Sequence, residues 1–212
     1  MSEFYVKWVV DDVTGLMRPY KVDIIPPTEA GLAVPYHSQW EPDANKWKSD
    51  CGPATVEMIC KYYTNGVGPS TNDIMEHITG GVNRNTSATE LVEAAEDLFG
   101  VQLGKVYSSS WDFLKSEIDK GYPSIVLVHY GAFVMRLDRN FTGGHWMVVK
   151  GFEVIDYQGT DVERIILHDP DWWGDYVEQG AAIPVVKDMF MNMWELAHLD
   201  GNPDRMVLVS RP

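Results

Sequence analysis

The sequence has 212 residues, a formal net charge of −14 at pH 7 and 45% hydrophobic residues. This length and this hydrophobic fraction are typical of a folded globular protein with one large or two small domains. The acidic balance argues against nucleic acid and anionic membrane surfaces as partners, because both attract basic patches on proteins. No stretch approaches the ~20 apolar residues that a membrane span requires.

The N-terminus, Met-Ser-Glu-Phe, lacks the basic region and the apolar run of a signal peptide. We therefore expect cytoplasmic synthesis, with association with a particle as one route out of the cell. Cys51 and Cys60 would lie roughly 13 Å apart along one helix, which is too far for a disulfide. Cys60 is expected to be a core residue.

A β-hairpin is predicted over residues 4–24, because two segments rich in β-branched and aromatic residues flank a turn at residues 11–15. A linker over residues 25–31 follows, with two prolines and a glycine. We therefore divide the chain into an N-terminal hairpin and linker, residues 1–31, and a main domain, residues 32–212. The hairpin is expected to be a packing arm or a docking element for a protein partner.

A helix is predicted to begin at Cys51, with Asp50 or Ser49 as the cap that accepts hydrogen bonds from the first turn. Pro53 fits in that turn, and Gly66 is the expected end. A helix N-terminus lowers the pKa of a thiol, so Cys51 is a candidate nucleophile. Taken alone, a single cysteine is more often a small buried hydrophobic residue. The apolar face of the helix is predicted to carry Ala54, Met58, Ile59, Tyr62 and Tyr63.

The remaining pattern places helices before strands, which predicts an α+β fold. A capping box, Ser87 with Glu90, begins one of the helices. A continuous apolar run at residues 124–129 is typical of a central strand. The other predicted helices cover residues 71–78 with Thr71 as the cap, 111–120 and 187–199, and the other predicted strands cover residues 32–36, 146–152, 164–167 and 206–209.

Three residues are candidates for thiol chemistry, which needs a base near the sulfur and a third group to orient that base. Cys51 begins a helix, His145 begins a strand after two glycines, and Asp169 follows the next strand. The glycine pair, with Gly144 next to the histidine, would leave room for a substrate.

Two alternatives to this arrangement stay open. His129 and His168 also lie at strand ends and compete with His145 as the base. Cys51, His145 and His168 could instead ligate zinc, although neither C-x-x-C nor H-E-x-x-H spacing is present. We expect no metal and no cofactor.

Four sequence segments, taken in chain order, form a recognisable set. They are Val34-Pro35-Tyr36-His37-Ser38-Gln39-Trp40, Asp50-Cys51-Gly52-Pro53-Ala54, Gly144-His145-Trp146-Met147-Val148-Val149-Lys150-Gly151 and His168-Asp169-Pro170. Together they resemble the C39-like cysteine peptidases, which are papain-like proteins related to bacteriocin-processing peptidase domains. The resemblance covers roughly residues 33–212. It implies a helical N-terminal half that carries the cysteine helix and packs on an antiparallel sheet carrying the histidine and the aspartate.

The resemblance implies a role for each matching residue. Cys51 is the nucleophile, His145 the acid and base, and Asp169 the group that orients the imidazole. Gln39, which only the resemblance singles out, donates its side-chain amide to the oxyanion beside the backbone N–H of Cys51. Candidate substrate-binding residues along the cleft are Trp40, Gly144, Trp146, Trp172 and Trp173.

These observations predict a cysteine peptidase or amidase that works through an acyl-thioester on Cys51, with a peptide or a peptidoglycan cross-link as substrate. Papain-like folds also host acyltransferases, so transfer to an acceptor other than water stays open. The alternative from another class is a dormant peptidase fold that serves as a structural or binding module, for example in a phage particle. The predicted hairpin at residues 4–24 motivates this alternative.

Overall fold

The computed structural model describes residues 30–40, 49–138, 140–197 and 205–211, and the backbone of two short strands nearer the N-terminus. Those strands, β1 (Lys7–Val10) and β2 (Met17–Tyr20), pair antiparallel within the range of the predicted hairpin. Residues 11–16 with the predicted turn, residues 21–29 with most of the predicted linker, and residues 41–48 lie outside the described residues. In the part of the chain that is described, none of the helices has the length and hydropathy to span a membrane.

Five α-helices are present among the described residues, and serine side chains begin three of them. The capping box of Ser87 and Glu90 begins α3 as predicted, and Gly100 ends it in the left-handed conformation. The prediction of Thr71 as a cap is wrong, because the preceding Ser70 has the extended backbone of a cap and forms a capping box with Asp73. The helices are α1 (Cys51–Tyr63), α2 (Thr71–Thr79), α3 (Ala88–Phe99), α4 (Trp111–Asp119) and α5 (Lys187–Glu195).

A six-stranded antiparallel sheet forms the centre of the domain, in the order β3-β8-β4-β5-β6-β7. The predicted central strand is β4, which has a neighbour on both sides. The edge strands β3 and β7 were not predicted. The strands are β3 (Gln102–Val106), β4 (Ser124–His129), β5 (Gly144–Tyr157), β6 (Thr160–His168), β7 (Ile183–Val186) and β8 (Val207–Arg211).

The sheet separates two hydrophobic clusters, because successive side chains of a strand point to opposite faces. Along β4, Ile125 and Leu127 pack into one cluster, whereas Val126 and Val128 pack into the other. Helices α1, α2 and α3 cover the first face, and α4 and α5 cover the second. The predicted α+β class is therefore observed, with helices on both faces of the sheet.

The segment at residues 32–36 is not a strand, contrary to the prediction. It lies against β5 at the point where the pairing of β5 with β6 shifts register between Val149 and Gly151. The Leu32 amide donates a hydrogen bond of 2.7 Å to the Lys150 carbonyl oxygen, but the Val34 amide, two residues on, donates back to the Leu32 carbonyl oxygen. The segment therefore crosses the sheet without joining it and leads the chain towards Gln39.

Candidate active site

Cys51 is the first residue of α1, and its side chain is half-buried. The preceding residue, Asp50, does not cap the helix as predicted, because its backbone (φ −88°, ψ 6°) is not the extended one that a side-chain cap needs. Its carboxyl group is fully buried, and neither oxygen has a hydrogen-bond partner among the described residues. Burial raises the pKa of Asp50 to about 8. The Cys51 thiol therefore lies at the positive end of a helix. The Asp50 carboxyl group, next in the chain, is mostly protonated at neutral pH.

His145 and Asp169 meet because β5 and β6 are antiparallel neighbours. His145 is the second residue of β5, and Asp169 follows the last residue of β6. The imidazole Nε2 lies 2.8 Å from Asp169 Oδ1, and both side chains are buried. A buried ion pair of this kind fixes the imidazole in one orientation.

The Cys51 side chain lies near the imidazole of His145 and contributes to the raised pKa of that ring. Because Asp169 occupies Nε2, the nitrogen that remains for the sulfur is Nδ1. Burial opposes a charge on His145, but the Asp169 carboxylate, and then Cys51, outweigh burial and raise the pKa of His145 to about 10. At neutral pH this favours the imidazolium, which is the form that stabilises a neighbouring thiolate.

Three further donors surround the Asp169 carboxylate. Its Oδ1 accepts from the Asp171 amide at 3.0 Å, and its Oδ2 accepts from the Tyr130 hydroxyl at 2.8 Å and the Trp172 indole at 3.0 Å. The Tyr130 ring also lies over His145, with 4.2 Å between ring centroids. Sequence reasoning missed Tyr130, although it directly follows β4, whose last residue pairs with the start of β5. Burial raises the pKa of Tyr130 above its ordinary value, so this hydroxyl remains a donor.

Gln39 is buried, with 4% of its surface exposed, beside the loop that carries Asp169. Its backbone amide donates a hydrogen bond of 3.0 Å to the Pro170 carbonyl oxygen. Its side-chain Oε1 has no partner among the described residues. Gln39 is therefore not an ordinary surface glutamine, whose side chain would be exposed to solvent.

The predicted cleft tryptophans divide into two groups. Trp146 and Trp172 are 3% and 9% exposed and pack in the two hydrophobic clusters, which argues against substrate contact at these two positions. Trp146 is directed into the core by strand β5, and Trp172 by the loop that follows β6. Trp40 is half-buried and contacts Trp173, which is 38% exposed, and Gly144 is exposed at the start of β5. These last three residues remain candidates for substrate contact.

His168 is not available as a base. Its Nε2 donates to the Val34 carbonyl oxygen and its Nδ1 accepts from the Ala182 amide, both at 3.0 Å. Burial lowers the pKa of His168 to about 4, so the ring is neutral and joins three segments of the backbone. Across the described ranges, no group of three or more His, Cys, Asp or Glu side chains is arranged to hold a metal ion.

A cysteine at a helix N-terminus therefore faces a histidine–aspartate pair on an antiparallel sheet, which is the arrangement of a papain-like domain. The family model of the Peptidase_C39 like family matches residues 31–198, and the chain belongs to this family. A crystal structure described as a C39-like peptidase from Bacillus anthracis has the same fold, with a TM-score of 0.55 and 14% sequence identity. The match covers 87% of this chain and 99% of that chain. No curated protein matches the sequence.

Proposed function

We propose that the protein is a cysteine peptidase or amidase that forms an acyl-thioester on Cys51. The observation that carries this proposal is the position of His145, whose imidazole lies near the Cys51 side chain and hydrogen-bonds to Asp169. Nucleophile, base and orienting carboxylate are the three groups that thiol acyl transfer requires. Family membership supports a peptidase, and the geometry supports the cysteine type.

The reaction would proceed in two steps. The Cys51 thiolate attacks the amide carbonyl carbon, and the oxyanion that forms accepts hydrogen bonds from the Gln39 side-chain amide and the Cys51 backbone N–H. The C–N bond then breaks, and the leaving amine takes its proton from His145. Water next attacks the thioester and gives a proton to His145, and cleavage of the C–S bond releases the carboxylic acid and restores the Cys51 thiolate and the His145 imidazolium. The substrate class that we propose is a peptide or a peptidoglycan cross-link.

The test is the intact mass of the protein after brief treatment with iodoacetamide at about pH 6, where an ordinary thiol reacts slowly. The wild type should gain one adduct rapidly, Cys51→Ala none, and His145→Ala one adduct slowly. Cys60→Ala is the matched control and should react like the wild type, because Cys60 is buried and burial raises its pKa to about 12. A wild type without a rapid adduct on Cys51 would contradict the proposal.

Turnover is the second half of the test. Peptides and peptidoglycan fragments that the wild type cleaves should remain intact with Cys51→Ala, and unchanged turnover in that variant would remove Cys51 from the mechanism.

A docking role for the hairpin remains a separate proposal. The antiparallel pairing of β1 with β2 supports the hairpin itself, and deletion of residues 1–31 tests the role. Unchanged assembly state and partner binding in the deletion variant would argue against docking.

A further inference from the structure

We propose that Asp171 is a positioning residue that holds the oxyanion segment, residues 38–40, against the loop that carries Asp169. The inference rests on the proposed function and extends it by a residue outside the Cys51, His145, Asp169 and Gln39 set. Its basis is the hydrogen bond of 2.7 Å that the Trp40 indole Nε1 donates to Asp171 Oδ1.

Asp171 connects two parts of the site at once. Its carboxylate accepts from Trp40, the residue after Gln39, and its backbone amide donates to Asp169 Oδ1 at 3.0 Å. The side chain is 5% exposed, so water competes little for these bonds. The position of the oxyanion donor is thereby coupled to the position of the carboxylate that orients His145.

Further hydrogen bonds join residues 38–40 to the loop that follows β6. Ser38 donates from its hydroxyl to the carbonyl oxygens of Pro170 (3.2 Å) and Trp172, and accepts from the Trp40 amide at 3.0 Å. Gln39 donates its amide to Pro170. The Trp40–Asp171 hydrogen bond adds a contact between two side chains, and each of these side chains can be substituted separately.

The carboxyl group of Asp171 is mostly ionised at neutral pH, although its surroundings raise its pKa above the ordinary value. Burial raises the pKa of Asp171 to about 6, and the neighbouring carboxylates of Asp169 and Asp138 add to this, whereas His145 and the Trp40 indole oppose it. The Tyr130 hydroxyl, which donates to Asp169, also lies near the Asp171 carboxyl group. An ionised acceptor forms a stronger hydrogen bond with the indole than a neutral one does.

Loss of this bond should affect one kind of reaction and spare another. Acylation of Cys51 by an ester or amide passes through an oxyanion, so it depends on where Gln39 lies. Alkylation by iodoacetamide displaces iodide at a tetrahedral carbon and forms no oxyanion. The ratio of the two rates therefore reports the oxyanion segment and is insensitive to a general loss of reactive thiol.

The experiment measures both rates at about pH 7.5, with 4-nitrophenyl acetate for acylation and iodoacetamide for alkylation. Asp171→Ala and Trp40→Phe remove the bond from opposite sides, and each should lower the acylation rate by about 10- to 100-fold while alkylation stays close to wild type. The double variant should be no slower than either single variant, because both remove the same bond. Asp171→Asn keeps an oxygen acceptor at the same place and should restore most of the acylation rate.

Three results would overturn the inference. Acylation at the wild-type rate in Trp40→Phe would show that the bond does not position the segment. An equal fall in both rates for Asp171→Ala and Trp40→Phe would indicate a general structural role. Absence of rapid Cys51 alkylation in the wild type would remove the proposed function and the inference together, and this outcome is distinguishable because it is read without any variant. If Asp171→Ala does not fold, Trp40→Phe decides.

Discussion

The Tyr130 hydroxyl donates a hydrogen bond of 2.8 Å to Asp169 Oδ2, on the side of the carboxylate opposite to His145. Tyr130 lies in a short 3-10 helix after β4, whereas Asp169 follows β6, and β5 lies between these two strands. The hydroxyl satisfies an oxygen that would otherwise be buried with only the Trp172 indole as partner. Tyr130 thus supports the orienting carboxylate from beneath the imidazole.

Tyr130→Phe should lower the free energy of unfolding by about 1–3 kcal/mol, because it leaves a buried carboxylate oxygen short of a donor. It should also slow alkylation of Cys51, because a less constrained Asp169 orients His145 less well. Urea unfolding and iodoacetamide kinetics measure the two effects. Tyr176→Phe is the matched control, since Tyr176 is 53% exposed, and its change should stay within about 0.5 kcal/mol. Equal stabilities of the two variants would contradict the prediction.

Asp50→Asn should stabilise the protein increasingly as the pH rises. The pKa of Asp50 is 3.8 as the reference value and about 8 in the folded state. Between these values the folded protein retains a proton that the unfolded chain has lost, so wild-type stability falls by about 1.4 kcal/mol per pH unit through this group. The asparagine variant lacks this loss, and its advantage should grow from about pH 4 to about pH 8 and then level off.

Urea unfolding at several pH values in that window measures this difference. Asp161→Asn, at an exposed position near the start of β6, is the control for the change from aspartate to asparagine. A difference for Asp50→Asn that stays constant with pH would show that the Asp50 carboxyl group titrates normally in the folded protein.

Gln39→Ala should lower acylation of Cys51 by 4-nitrophenyl acetate by about 100- to 1,000-fold, the effect of removing one oxyanion donor. Alkylation by iodoacetamide should remain close to wild type, because that reaction forms no oxyanion. Gln102→Ala, on the exposed side of the edge strand β3, is the matched control and should change neither rate. Parallel losses of both rates in Gln39→Ala would assign the glutamine a structural role instead.

Gly151→Ala should destabilise the domain by about 1–3 kcal/mol, the usual cost of overpacking. A Cβ at this position would lie 2.6 Å from the Gly31 Cα and 3.1 Å from the Ala30 carbonyl oxygen, and backbone atoms cannot move aside as a flexible side chain can. The measurement is urea unfolding. Gly104→Ala is the control, since its Cβ would meet nothing nearer than a carbonyl oxygen at 3.9 Å. Similar losses in both variants would mean that the close approach carries no special cost.

The elements that were predictable have strong local signals. The capping box of Ser87 and Glu90 provides hydrogen-bond partners for backbone amides at the start of α3. The apolar run of β4 is buried on both faces. Both signals are therefore contained in a short window of sequence. The edge strands were missed because their signals are weak. Most of β3 is exposed and includes Gly104, and β7 has four residues and includes Pro184, so both depend on pairing with a neighbour.

The sequence by itself determined that Cys51 begins a helix, that His145 and Asp169 lie at the ends of consecutive strands, and that the chain resembles a papain-like family. These are properties of hydrophobic periodicity, of turn residues and of short motifs. Only the tertiary structure decided which groups surround Asp169, which tryptophans are buried and that Asp50 lacks a partner among the described residues. The reason is that antiparallel pairing and burial join residues far apart in the chain, and no local window of sequence contains both partners.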